Sequence, residues 1–227
     1  MSILDDAINK GQKALSEYES KKFLASHGIP VTKEKLVTTK SEAIEAAKEL
    51  GLPVVLKGCS PEITHKTELN LIELDLRDDA AVGEAFDRIT GQEGASVDGV
   101  LVQEMVRGER ELVIGLSRDP QFGPCVMFGL GGIFTEILND VSFRIAPLEK
   151  RDALEMIREI KGHKILDAFR GKPPVDIDIL CRALISIGNI GMEFDQVKEI
   201  DINPLKIDGD KPVAVDALVV LNSTGKE

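Results

Sequence analysis

The chain has 227 residues, 43% apolar and 30% charged, enough for a sizeable core as one large domain or two small ones. A formal net charge of −11, one Tyr and no Trp exclude general nucleic-acid binding, which needs a basic footprint and stacking aromatics. No apolar run approaches the ~18–20 residues of a membrane span, and Met1 to Lys13 lacks a signal-peptide hydrophobic stretch, so a cytoplasmic protein without membrane contact is expected. Cys59, Cys125 and Cys181 are far apart and odd in number, which fits small core residues and neither a disulfide framework nor a zinc site.

Ser16-Glu17-Tyr18-Glu19 has the Ser-x-x-Glu form of a capping box and opens a helix that carries Phe23 and Leu24 and stops near Gly28. Ser41 is read as the cap of a second helix, rich in Ala and Glu and stopped by Gly51 and Pro53. Pro53-Val54-Val55-Leu56-Lys57 predicts a short buried strand ending in a lysine. The alternation from Leu69 to Leu76 predicts another strand, followed by a helix over Asp79–Ile89. Asp98-Gly99 leads into a strand over Val100–Val106, with Glu111–Leu116 read as its hairpin partner. Strands over Pro124–Phe128 and Val141–Ile145 and helices over Lys150–Ile160 and Asp176–Ile190 precede the closing apolar runs. This order predicts an α+β protein of two subdomains, 1–98 and 99–227, joined near Asp98-Gly99.

The closing runs carry the strongest chemical signal. In Glu199-Ile200-Asp201-Ile202-Asn203-Pro204-Leu205, the apolar residues demand burial while Asp201 and Asn203 share the other face of a strand. Pro204 is read as ending normal pairing, and Asp216 falls inside a second apolar run, Val213 to Val220. Two strands that each present an oxygen donor suit a hard cation such as Mg²⁺, which binds one or two carboxylates plus substrate phosphates. They equally suit polar groups satisfied at strand ends.

Lys57 ends an apolar strand, where a buried ammonium needs a partner such as a phosphate, or else snorkels to solvent. Glu104 and Glu111 flank a strand connection whose backbone can meet a purine edge, and a carboxylate there can accept ribose hydroxyls; two solvent-facing acids read the same way. Gly129-Leu130-Gly131-Gly132 lacks dinucleotide-fingerprint spacing and no phosphate-loop motif is present. Of the three histidines, His65 stands out in the loop Thr64-His65-Lys66-Thr67 just after Lys57, since imidazole is a nucleophile toward phosphoryl groups.

These segments, together with Arg118-Asp119-Pro120-Gln121-Phe122-Gly123-Pro124 and Gly131-Gly132-Ile133-Phe134, occur in one order that closely resembles the ATP-grasp β subunit of ADP-forming acyl-CoA synthetases, from about Leu15 to Leu221. The resemblance implies an ATP-grasp fold of two α+β subdomains clamping ATP/ADP. Lys57 then matches the lysine on the phosphates, Glu104, Met105 and Val106 the adenine hinge, and Glu111 the ribose ligand. Asn203 and Asp216 match the Mg²⁺ ligands with Asp201 a nearby acid, Arg144 a position near the phosphate path, and His65 a phosphate relay. A CoA-binding α subunit carrying a phosphorylated histidine is the implied partner, in a hetero-oligomer. A stand-alone ATP-grasp carboxylate ligase and a non-catalytic nucleotide-sensing subunit are the alternatives. One departure stands out: where the family shows Gly-Gly, this chain has Asn70-Leu71, and a leucine forced to positive φ would hinder loop closure.

Overall fold

The structure, a computed structural model, describes residues 2–61, 71–92, 97–132, 140–168 and 171–222. The chain divides into a small unit, Ser16–Tyr18 with Thr32–Val106, and a large unit, Met1–Leu15, Glu19–Val31 and Arg107–Glu227. No helix among the described residues is long and apolar enough to cross a membrane.

In the small unit the strands β1 (Glu34–Val37), β2 (Val54–Cys59), β3 (Ile72–Leu76) and β4 (Gly99–Glu104) form an antiparallel sheet in the order β1-β4-β2-β3. Two helices, α3 (Lys40–Leu50) and α4 (Asp79–Thr90), pack their apolar stripes on it. Val54 and Leu56 of β2 and Val100 and Val102 of β4 join Ala43, Ala46, Val82 and Phe86 in its core. The cap of α3 is Thr39, whose hydroxyl accepts the Glu42 amide while Glu42 accepts the Thr39 amide. Ser41, the expected cap, is the second residue inside the helix. The capping box selects Thr39 because its Glu stands three residues on.

The expected boundary at 98/99 is corrected by the sheet. β4 hydrogen-bonds to β1 on one side and β2 on the other, so it is an interior strand of the small unit, which ends at Val106. For the same reason Glu111–Leu116 is not the hairpin partner of β4: it belongs to another sheet altogether. Cys59 and Cys181 are buried as expected and Cys125 is half-buried.

The large unit is built on a six-stranded antiparallel sheet, β10-β8-β5-β6-β7, with β9 paired to β8. Its strands are β5 (Glu111–Asp119), β6 (Gly123–Leu130), β7 (Val141–Ile145), β8 (Val197–Asp208), β9 (Lys211–Ala214) and β10 (Leu218–Leu221). Helices α5 (Lys150–Glu159) and α6 (Ile177–Glu193) cover one face. Leu112, Ile114 and Leu116 of β5 meet Leu184 and Ile187 of α6 in one core, which also holds residues of α1 (Ile3–Asn9) and α2 (Glu17–Ser26). Burial of these side chains at about 1.5–3 kcal/mol each is the main term holding the layers together.

Leu71 fits its place without strain. It is fully buried in the small-unit core, its carbonyl accepts the Gly58 amide at 2.8 Å, and a Cβ on Gly58 would lie 3.2 Å from the Leu71 Cβ. Among the described residues only Asp75 is a non-glycine with positive φ. The large side chain at 71 therefore fills space opposite a glycine at 58, and Asn70 lies outside the described residues.

Candidate functional site

In the small unit the site is built around Lys57. Alternation along β2 turns Val54, Leu56 and Gly58 toward α3 and α4 and leaves Val55 and Lys57 on the opposite face. Lys57 Nζ lies 2.7 Å from Glu17 Oε1, with side-chain exposures of 5% and 1%. A buried ammonium held against a buried carboxylate keeps its charge and a fixed direction, because desolvation is repaid only by close pairing. Glu17 was visible in the sequence only as an interior letter of a capping box. The signal that could have found it is the lysine itself, which when buried requires an acid somewhere in the chain.

Glu104 closes β4. Its amide donates to the Lys33 carbonyl at 3.0 Å and its carboxylate accepts the Lys33 amide at 2.8 Å. Met105 and Val106 follow, half-buried, outside any strand. His65 lies outside the described residues.

In the large unit, β8 carries the acids. Ile200 and Ile202 face the core, and Asp201 and Asn203 lie on the opposite face, half-buried and exposed. Register then shifts: Ile114 pairs Ile202 and Leu112 pairs Leu205, so β8 advances three residues while β5 advances two. This bulge at Asn203-Pro204 reverses the alternation, which lets Leu205 and Ile207 also face the core. Pro204 thus bends the strand and does not end it.

Asp216 differs from expectation. It lies in the bend between β9 and β10, not inside a strand. The Val215 amide donates to the Pro204 carbonyl at 3.0 Å, which ties the Asp216 bend to the Asn203 bulge. The Asp201 carboxyl is pushed up to about 6 by its burial and by the charges of Glu199 and Asp216. Glu199 and Asp216 therefore both act on Asp201, and Glu199 had no role in the expectations from sequence. Asp201, Asp216 and Asn203 offer oxygen donors only, the set a hard cation such as Mg²⁺ accepts. Among the described residues no group of three or more His, Cys, Asp or Glu side chains converges as a cage, so such an ion would complete its shell with oxygens of a bound molecule.

Glu111 opens β5 and pairs with Lys206 at 3.0 Å. The Gly131 amide donates to the Glu111 carbonyl at 2.7 Å, and a Cβ on Gly132 would stand 3.0 Å from a Glu111 carboxylate oxygen. The glycine turn and Glu111, twenty residues apart, are brought together, and glycine is required because backbone approaches there.

Arg144 is not on the same face as these groups. The register row Arg144–Val126–Leu116–Ile200 faces α5 and α6, whereas Phe143–Met127–Gly115–Asp201 lines the other side. Arg144 pairs with Glu159 at 2.8 Å and lies 4.0 Å from Glu155, both on α5. Sheet parity separates it from Asp201, and it is left out of the site.

The ATP-grasp domain family matches residues 6–221. The chain is 44% identical over 214 residues to the β subunit of ADP-forming acetate–CoA ligase I of Pyrococcus furiosus, covering 92% of each chain, and 38% identical over 229 residues to the isoenzyme II β subunit, covering 97% of each. Its fold matches a Ca. Korarchaeum cryptofilum dinucleotide-forming acetyl-coenzyme A synthetase solved with coenzyme A and Ca-AMPCP, with a TM-score of 0.93 and 44% identity over 97% of this chain and 98% of that one. A second structure of that protein, with coenzyme A, Mg-AMPPCP and the phosphohistidine segment pointing towards the nucleotide-binding site, matches with a TM-score of 0.86 at 44% identity and the same coverage. An α+β chain with a buried strand lysine in one unit and a bulged, acid-bearing strand in the other belongs, on these likenesses, to the ATP-grasp β subunits of the ADP-forming acetate–CoA ligase family.

Proposed function

We propose that this chain is the nucleotide-binding subunit of an ADP-forming acyl-CoA synthetase, which with a CoA-binding partner subunit interconverts acyl-CoA, ADP and phosphate with a carboxylic acid, ATP and CoA. The observation that carries the reading is the 44% identity to an acetate–CoA ligase β subunit over 92% of both chains. The two arrangements of charge support it. Phosphoryl transfer rests on positioning and charge neutralisation. Lys57, held rigid by Glu17, contacts the nucleotide phosphates. Glu104 to Val106 meet the adenine edge, and Glu111 accepts hydrogen bonds from the ribose. Asn203 and Asp216 would hold Mg²⁺ with Asp201 nearby, and the ion would neutralise charge on the phosphates. His65 takes the phosphoryl group from a phosphorylated histidine of the partner and passes it to ADP.

The test is to supply the CoA-binding subunit and follow ATP formation from acyl-CoA, ADP and phosphate. His65→Ala is expected to abolish ATP formation while ADP still binds, and an acid-labile, base-stable phosphate on the wild type should disappear in the variant. Full turnover by His65→Ala with its partner present would sink the relay. Asp216→Asn and Asn203→Leu are expected to weaken Mg²⁺-ADP in calorimetry, and unchanged affinity in both would remove the metal assignment.

A further inference from the structure

Lys21, in α2, is a fully buried lysine. Its Nζ donates to the Val215 carbonyl at 3.3 Å. Its neighbour Ser20, also fully buried, accepts the Val219 amide through Oγ at 3.1 Å. Two consecutive residues of one helix therefore hold both ends of the segment Val215–Val219. The start of that segment is further tied to the Asn203-Pro204 bulge by the Val215 amide. Asp216 is the next residue after the carbonyl that Lys21 holds.

An ammonium is among the costliest groups to bury, and a methionine would fill the same volume without the charge. What lysine adds at this position is a directed N–H donor. Groups that orient a metal ligand without touching the metal typically change its affinity when lost. We infer that Lys21 is a positioning residue: it fixes the peptide between Val215 and Asp216, so that the Asp216 carboxylate is held beside the Asn203 bulge before any cation arrives. This rests on the reading of Asn203 and Asp216 as Mg²⁺ ligands.

The test uses the full chain and measures ADP affinity in EDTA and in saturating Mg²⁺, for the wild type and Lys21→Met, with circular dichroism to verify folding. The ratio of the two affinities is expected to fall about 10–100-fold in Lys21→Met, while the affinity in EDTA stays within about twofold. An unchanged ratio overturns the proposal. So does a parallel loss in both conditions, which marks a purely structural lysine. If Lys21→Met does not fold, hydrogen exchange on the wild type decides: protection of the 215–219 amides should be nearly the same with and without Mg²⁺-ADP, and a large gain on adding it counts against prior positioning. A wild type whose ADP affinity ignores Mg²⁺ removes the metal site itself, and with it this role. A Mg²⁺-dependent wild type with an unaltered Lys21→Met rejects the role of Lys21 alone.

Discussion

The two units handle charge in opposite ways. In the small unit Lys57 and Glu17 are both buried and neutralise each other at 2.7 Å. In the large unit burial raises the Asp201 carboxyl to about 6, and the charges of Glu199 and Asp216 add to the shift. Depth explains the difference. A buried charge must be balanced within the protein, because no solvent is at hand to stabilise it. A half-buried acid can share its burden with water, with a proton or with an arriving cation. The small unit thus fixes its buried lysine with an ion pair, whereas the half-buried acids of the large one keep access to water, a proton or a cation.

The largest expected effect tests the buried pair. Lys57→Ala removes the ammonium that the buried Glu17 carboxylate pairs with at 2.7 Å and should cost about 3–5 kcal/mol in denaturant unfolding. Replacing both partners, as Lys57→Met with Glu17→Leu, should recover most of that loss. A single variant within about 1 kcal/mol of the wild type would mean that the pair is not buried.

Gly131→Ala is expected to cost about 1–3 kcal/mol by overpacking. Its Cβ would stand 2.9 Å from backbone atoms of Glu111 and Leu112, which cannot yield as a side-chain tip can. A neutral result in thermal unfolding would show that the turn and Glu111 are not held together.

The half-buried acids of the large unit should reveal themselves through pH. Asp201 binds its proton more tightly in the folded chain, near 6, than in the unfolded chain, near 3.8. The folded state therefore holds more protons between these values, and stability falls as pH rises from about 4 to about 6. Solvent screening at this partly exposed group limits the loss to about 1–2 kcal/mol. Asp201→Asn should flatten that part of the profile, and a profile identical to the wild type would contradict a raised Asp201 carboxyl. The smallest effect is expected at Arg144, on the helix-covered face. Arg144→Gln should change Mg²⁺-ADP affinity by no more than about twofold, while loss of its ion pairs costs about 0.2–1 kcal/mol. A tenfold loss of affinity would return Arg144 to the site.

Much of this was legible in the letters. The alternation Ile200-Asp201-Ile202-Asn203 placed the acid and amide on one face and the isoleucines on the other, as found. The apolar run before Lys57 gave a buried strand with the lysine in it. Gly51 and Gly28 mark helix ends as expected, with φ of 89° and 79°. Local periodicity and φ requirements act within a few residues, so a sequence displays them directly.

Other features depended on residues far apart. The sequence read β4 and β5 as one hairpin, but β4 found its partners in β1 and β2. It read Leu71 as a strained substitute for glycine, but Leu71 packs opposite Gly58. It offered Lys57 a phosphate and Lys21 no task, but the two reach Glu17, forty residues away, and Val215, 194 residues away. Residue order alone tells which face of each strand and helix seeks burial, because that follows from the backbone's own period. Which distant group meets each buried charge was decided only by the tertiary structure, since strand order and crossover choose those neighbours and no local pattern encodes them.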